Sequence, residues 1–182
     1  MKPFVLPFSV SPFRDERSTT CDLGDEKNVE NVLDTVRNSY HIDIILLNAG
    51  IYLPDGDVAD LKKVHQINFM TNVMILEKFM DQAEKIILIS SIAAKDIRAC
   101  NSLSYGSSKI AMEYYCRCLR ERLRATGQRV IIISPGAIQT PIFPDSLLKK
   151  YGDQMMKVED FSDLVVNILY KRILYANPWR EF

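Results

Sequence analysis

The sequence predicts an α/β protein built on a parallel sheet with crossover helices. From residue 18 onward, short β-branched runs alternate with longer amphipathic ones. Two of the short runs, Ile42–Leu47 and Lys85–Ser90, are rich in Ile and Leu and read as strands buried on both faces. Length agrees, because 182 residues with 47% apolar composition supply one full hydrophobic core and are short for two.

The elements follow in order. Ser18–Leu23 reads as the end of a strand. Asp25–Tyr40 reads as a helix, with Val29, Val32, Leu33 and Val36 at i, i+3, i+4 and i+7. Ile42–Leu47 is a strand, Asn48–Gly56 is turn-rich, and Val58–Met80 has helical period. Lys85–Ser90 is the next strand, followed by a polar loop. Tyr105–Thr126 is a long helix punctuated by Gly127, and Val130–Ser134 is a strand closed by Pro135-Gly136. Helices are expected near Ser146–Tyr151 and Val158–Lys171. Residues 1–17 stand outside this rhythm: Pro3, Pro7 and Pro12 interrupt them, and Arg14-Asp15-Glu16-Arg17 is a charged run. The expected organisation is an atypical segment over 1–17 and one domain over 18–182.

Composition excludes several classes of partner. Lys plus Arg equals Asp plus Glu at 23 each, so no overall field draws the chain to nucleic acid or to an anionic membrane. Arg117, Arg120, Arg122, Arg124 and Arg129 are interrupted by Glu113 and Glu121 and read as a solvated helix end. No run approaches the roughly 20 apolar residues of a membrane span, and the prolines in Phe4–Val10 argue against a signal peptide. The expectation is a soluble, cytoplasmic protein. Cys21, Cys100, Cys116 and Cys118 contain no CxxC pair and read as small buried hydrophobes in a reducing compartment. His41 and His65 have no partners at metal spacing, so no metal is expected.

One pair of residues carries chemistry. Tyr105 and Lys109 lie four apart at the start of a helix, which stacks phenol and ammonium on one face about 5–6 Å apart at Cβ. A tyrosine near pKa 10 is ionised in only about one molecule in a thousand at pH 7, and a nearby cation favours the phenolate. Such a pair also arises by chance in long helices. Context strengthens it: Ser90-Ser91 closes a strand just upstream, and ligands of α/β sheets bind at the carboxyl ends of strands. Asn48-Ala49-Gly50 and Pro135-Gly136 with Thr140 end the flanking strands, and Asn68 lies in the helix between.

Asn48-Ala49-Gly50, Asn68, Ile89-Ser90-Ser91, Tyr105-x-x-x-Lys109 and Pro135-Gly-x-x-x-Thr140, in that order, resemble the short-chain dehydrogenase/reductase family. The resemblance covers roughly residues 18–145. It implies a Rossmann-like parallel sheet with helices on both faces, and an oxidoreductase that moves a hydride between an alcohol and a ketone or aldehyde with NAD or NADP. It makes Tyr105 the acid/base, Lys109 the group that lowers its pKa and holds the nicotinamide ribose, and Ser91, rather than Ser90, the carbonyl-orienting hydroxyl. Asn68 would shape its helix and hold a water linking Lys109 to solvent. On the cofactor side it implies Asp22 and the Leu23 amide at the adenine, and Asn48, Ala49 and Gly50 beside the adenosine ribose. Pro135, Gly136, Ile138 and Thr140 would lie at the nicotinamide and phosphate region. The expected partners are a small carbonyl or alcohol substrate and further copies of the chain in a homodimer or homotetramer, with Met112, Tyr115 and Leu119 as candidates for that interface.

The family's TGxxxGxG turn, which holds the pyrophosphate, has no counterpart here, and Gly24 is the only glycine before residue 50. The N-terminal βαβ unit therefore reads as missing or replaced. Two repairs suggest themselves: Phe4–Val10 in the vacant slot, or Ser18–Leu23 paired with Ile42–Leu47. Two functions stay open, an NAD(P)-dependent oxidoreductase and a degenerate member that has lost dinucleotide binding and acts as an interaction protein or inactive fragment.

Overall fold

The computed structural model describes residues 21–99 and 102–170. These form two compact units that meet in sequence at Pro135 and Gly136. The first unit contains a three-stranded parallel sheet in the order β1 (Ile44–Leu47), β2 (Lys85–Ile89), β3 (Arg129–Ile133). The strands are joined by α2 (Val58–His65) with α3 (Thr71–Phe79), and by α4 (Leu103–Arg122), while α1 (Glu26–Ser39) precedes β1. The second unit carries α5 (Asp145–Tyr151) and α6 (Val158–Tyr170), and an isolated parallel bridge pairs Ile138 with Met156.

Local sequence accounts for most of the boundaries. Asp25 caps α1 by accepting from the Asn28 amide, and the Asn28 side chain in turn accepts from the Asp22 amide (3.0 Å). The predicted periodicity of this helix buries Val29, Leu33 and Val36. Asp57 caps α2 on the amides of Ala59 and Asp60. The long helix begins at Leu103, two residues before the predicted start, because Ser102 acts as its cap.

The core gathers Ile45, Leu47, Ile86, Leu88 and Val130 from the sheet with Val29, Leu33, Val36, Leu76, Phe79, Met112, Cys116 and Leu119 from α1, α3 and α4. Register places Leu46 opposite Ile87, on the reverse side of the strands. There Ile44 and Leu46 are 38% and 42% exposed, so β1 alternates in burial, contrary to the expectation of a strand covered on both faces. Among the described residues, its ladder runs to β2 alone.

Other expectations also shift. Met112 and Leu119 are buried by the chain's own core, which leaves them no surface for an interface, while Tyr115 is half-buried, packs against that cluster and bonds Glu77. The exposed apolar residues of α4 are Leu103, Ile110 and Tyr114. Cys21 and Cys116 are buried as expected, whereas Cys118 is exposed. Of the predicted strand end Ser18–Leu23, residues 18–20 lie outside the described residues; Cys21 and Asp22 are irregular, and Leu23 opens the turn into α1. Cys21–Leu23 form no ladder with β1, and Phe4–Val10 lie outside the described residues. No helix among the described residues is long and apolar enough to cross a membrane, and no cluster among them could hold a metal ion.

Candidate active site

Chain order brings four loop ends together at the carboxyl edge of β1 and β2 and the first turns of α4. Lys109 is the centre. It is 7% exposed, and its Nζ lies 5.5 Å from the Tyr105 ring centroid, on the face that the four-residue spacing predicted. Burial pushes the Lys109 ammonium down to about 8, since desolvation disfavours the charged form. Its acceptor among the described residues is the Ile89 carbonyl at 3.3 Å, which takes one of three N–H donors.

Asn68 sits in a π-turn, Gln66–Met70, that joins α2 to α3. A widened turn leaves carbonyls without their usual partners. Asn72 supplies them: its Nδ2 donates to Ile67 O (3.2 Å) and Asn68 O (2.9 Å). The Asn68 side chain is thereby aimed at the loop after β1, where Oδ1 accepts from Ile51 N (2.8 Å) and Nδ2 donates to Ile51 O (2.9 Å). Nδ2 also lies 3.1 Å from Ser108 Oγ, which donates to Tyr105 O at 2.7 Å. A single buried amide thus ties the Asn48–Gly50 turn to the Tyr105 turn of α4.

Gly50 fits tightly between these groups. A Cβ there would meet Asn68 Oδ1 at 3.2 Å and Lys109 Nζ at 3.4 Å. Because Asn68 is already held by Ile51, Gly50→Ala is expected to cost about 1–3 kcal/mol by overpacking, read as a lower midpoint in chemical denaturation. An unchanged midpoint would show that the contact yields freely.

Ser91 starts the turn Ile92–Ala94, which packs on the beginning of α4, and its Oγ accepts from Ala93 N at 3.2 Å. Ser90, by contrast, is 4% exposed, with a hydroxyl that has no hydrogen-bond partner among the described residues. The Pro135 carbonyl accepts from Ile92 N at 2.8 Å, tying the tip of β3 to the turn behind Ser91. Glu113, buried on α4, accepts from Ser134 Oγ at 2.6 Å and fixes the same strand tip to the helix.

The remaining predicted residues are more dispersed. Asp22 is exposed and its Oδ1 accepts from Gly24 N (2.9 Å), while Leu23 is buried with its carbonyl bonded to Thr71 Oγ1 (2.8 Å). Asp22 lines an open cleft of about 790 Å³ with Gly24, Lys62, His65, Gln66 and Met70; Ser91, Tyr105 and Lys109 do not line it. Asn48 and Gly50 are exposed, and Ala49 packs on the core. Gly136, Ile138 and Thr140 belong to the second unit, where the backbone around Ile138 bridges Met156 and Thr140 O accepts from Phe143 N.

Comparison with known proteins decides the family. Residues 14–150 match the model for short chain dehydrogenases. The chain belongs to the short-chain dehydrogenase family. It is 29% identical over 163 residues to 1-deoxy-11-beta-hydroxypentalenate dehydrogenase of Streptomyces exfoliatus, covering 81% of this chain and 59% of that one. It is 28% identical to the farnesol dehydrogenase of Aedes aegypti, covering 90% and 72%. The chain therefore spans less than two thirds of the length of the Streptomyces relative. In fold it resembles a short chain dehydrogenase family protein from Francisella tularensis, with a TM-score of 0.74, 22% identity and coverage of 86% and 76%. A 7 alpha-hydroxysteroid dehydrogenase complexed with NADH and 7-oxo glycochenodeoxycholic acid aligns with a TM-score of 0.70 and 23% identity, over 83% and 66%. A short chain dehydrogenase from Burkholderia cenocepacia in complex with NADP aligns with a TM-score of 0.73. The parallel α/β sheet expected from the sequence is thus the fold of this family.

Several residues of the site were not singled out from sequence. Ser102 had a signal, as a serine just ahead of a helical run. Ser108, Tyr52 and Asp55 had none, because their roles exist only where distant segments meet, and Asn72 had none because an asparagine within a helical run does not announce a π-turn.

Proposed function

We propose that this chain is an NAD(P)-dependent oxidoreductase that interconverts a small alcohol and its ketone or aldehyde. The observation that carries the reading is Lys109, a buried ammonium one helical turn from Tyr105 with donors left for a ligand. A nicotinamide dinucleotide, when bound, supplies or accepts the hydride. Its fit is supported by the uncommitted N–H donors of Lys109 and by the absent side chain at Gly50, where a Cβ would crowd Lys109 Nζ. Gly50 would let the loop approach the adenosine ribose, and Lys109 would hold the nicotinamide ribose hydroxyls. In reduction, Tyr105 gives its phenolic proton to the carbonyl oxygen as that oxygen gains charge; in oxidation it takes the proton back. The Lys109 ammonium favours the phenolate form. Ser91 is partly exposed and donates to the same oxygen, whereas Ser90 is buried. Asn68 holds Ile51 and Ser108 so that the two turns keep their separation. The roles of Asp22 and Leu23 at the adenine, and of Gly136, Ile138 and Thr140, rest on family resemblance alone. Exposed Leu103, Ile110 and Tyr114 on α4 support self-association.

The second reading is a member without dinucleotide binding, and it starts from residues 1–23, which contain no glycine to shape a pyrophosphate-holding turn. Calorimetric titration of the full chain with NADH and with NADPH separates the two. Micromolar binding of either is the expected result, and no heat at millimolar cofactor would leave the interaction protein.

A further inference from the structure

The Tyr105 turn is the first turn of α4, and a helix of this length leaves its first amides without partners inside the helix. Ser102 takes one of them, accepting from Tyr105 N at 3.2 Å, and its carbonyl accepts from Gly106 N at 3.0 Å. The amides of Leu103 and Ser104 remain. Both go to one carboxylate: Asp55 Oδ2 accepts from Leu103 N at 2.8 Å and Oδ1 from Ser104 N at 3.2 Å. The hydroxyls of Ser102 and Ser104 stand 3.1 and 3.4 Å from the same Oδ1, and Ser102 Oγ lies 2.9 Å from Leu53 O.

Asp55 is supplied from far away in sequence, by the loop between β1 and α2 that also carries Asn48–Gly50 and Tyr52. The Tyr52 ring meets the Tyr105 ring edge-on, with centroids 5.4 Å apart. We infer that Asp55 is a positioning residue, whose carboxylate clamps the loop after β1 onto the first turn of α4 and so sets the Tyr105 ring between Tyr52 and Lys109. The carboxylate suits the task twice over, as a charged acceptor of two amides and as an anion at the positive end of a helix. Those amide bonds, Leu103 first, hold its carboxyl below the usual range. Asn68 and Asp55 then fasten one loop at two points, the first at Ile51 and the second at the helix cap. The functional weight of this clamp rests on the reading of Tyr105 as the proton-transfer group.

Because Asp55 is exposed, its replacement leaves the core intact. The test is hydrogen exchange and aromatic ¹³C NMR on the full chain without cofactor, with the Tyr105 ring signals assigned by their loss in Tyr105→Phe. In Asp55→Ala, amide protection at Leu103 and Ser104 falls about tenfold or more, the Tyr105 ring signals move, and the Leu33 amide in α1 keeps its protection. Asp55→Asn, which retains one acceptor oxygen, recovers part of both effects. Unchanged protection and unchanged ring signals in Asp55→Ala overturn the inference, and so does a loss of protection shared equally by α1. Neither measurement involves turnover, so the clamp and the chemistry of Tyr105 fail separately.

Discussion

Tyr105→Phe lowers turnover by about 10²–10⁴-fold, the usual contribution of a positioned acid/base, while the midpoint of unfolding stays nearly constant. The change removes one oxygen. The ring remains to meet Tyr52 edge-on, and the backbone remains tied through Ser102 and Ser108, so helix and loop keep their places. Hydride addition builds negative charge on the carbonyl oxygen, and a phenylalanine has no proton with which to neutralise it. Steady-state kinetics with NADH or NADPH and a panel of small ketones and aldehydes check the result. Wild-type turnover in the variant would remove Tyr105 from the mechanism.

Lys109→Met has two effects of opposite sign: turnover collapses, and the fold becomes more stable. Burial lowers Lys109 from 10.5 to about 8, so between those values the unfolded chain binds more protons than the folded one. Stability contributed by this group is thus lowest below pH 8 and rises with pH until the unfolded lysine also loses its proton. At pH 7 the full penalty applies, roughly 3 kcal/mol as an upper bound for a shift of this size. Methionine fills similar space without the charge, although it forfeits the bond to Ile89 O. A gain of about 1–3 kcal/mol at pH 7 is expected, shrinking toward pH 10. Cys116 acts in the other direction, since burial raises its thiol to about 12 and the stability it contributes falls above pH 9. The difference between wild type and variant isolates Lys109. Urea denaturation at pH 7, 8, 9 and 10 measures it, and parallel curves for the two proteins would show that Lys109 is not desolvated. A stabilising change that abolishes activity is the expected mark of a charge kept buried for chemistry.

Much of this was legible in the residues. The 3.6 period of Val29, Leu33 and Val36 defined α1, and the apolar runs at residues 44 and 85 defined neighbouring parallel strands. The four-residue step from Tyr105 to Lys109 placed their side chains on one helical face, because helix geometry depends only on local backbone. Two expectations erred for a shared reason. An apolar strand and an apolar helix stripe announce burial without saying by what, so β1 turned out half exposed and Met112 and Leu119 turned inward.

Sequence alone therefore determined the α/β class, the order of the strands along the chain and the spacing of phenol and ammonium. Each is set by contacts within a few residues or by the period of a single element. The tertiary structure decided what surrounds that pair: the π-turn held open by Asn72, the grip of Asn68 on Ile51, the fit of Gly50 and the cap from Asp55. The grip of Asn68 and the cap from Asp55 are bonds between residues 17 to 49 positions apart and the fit of Gly50 depends on them, whereas Asn72 bonds carbonyls four and five residues back; no local period encodes which of these donors meets which acceptor once the chain is folded.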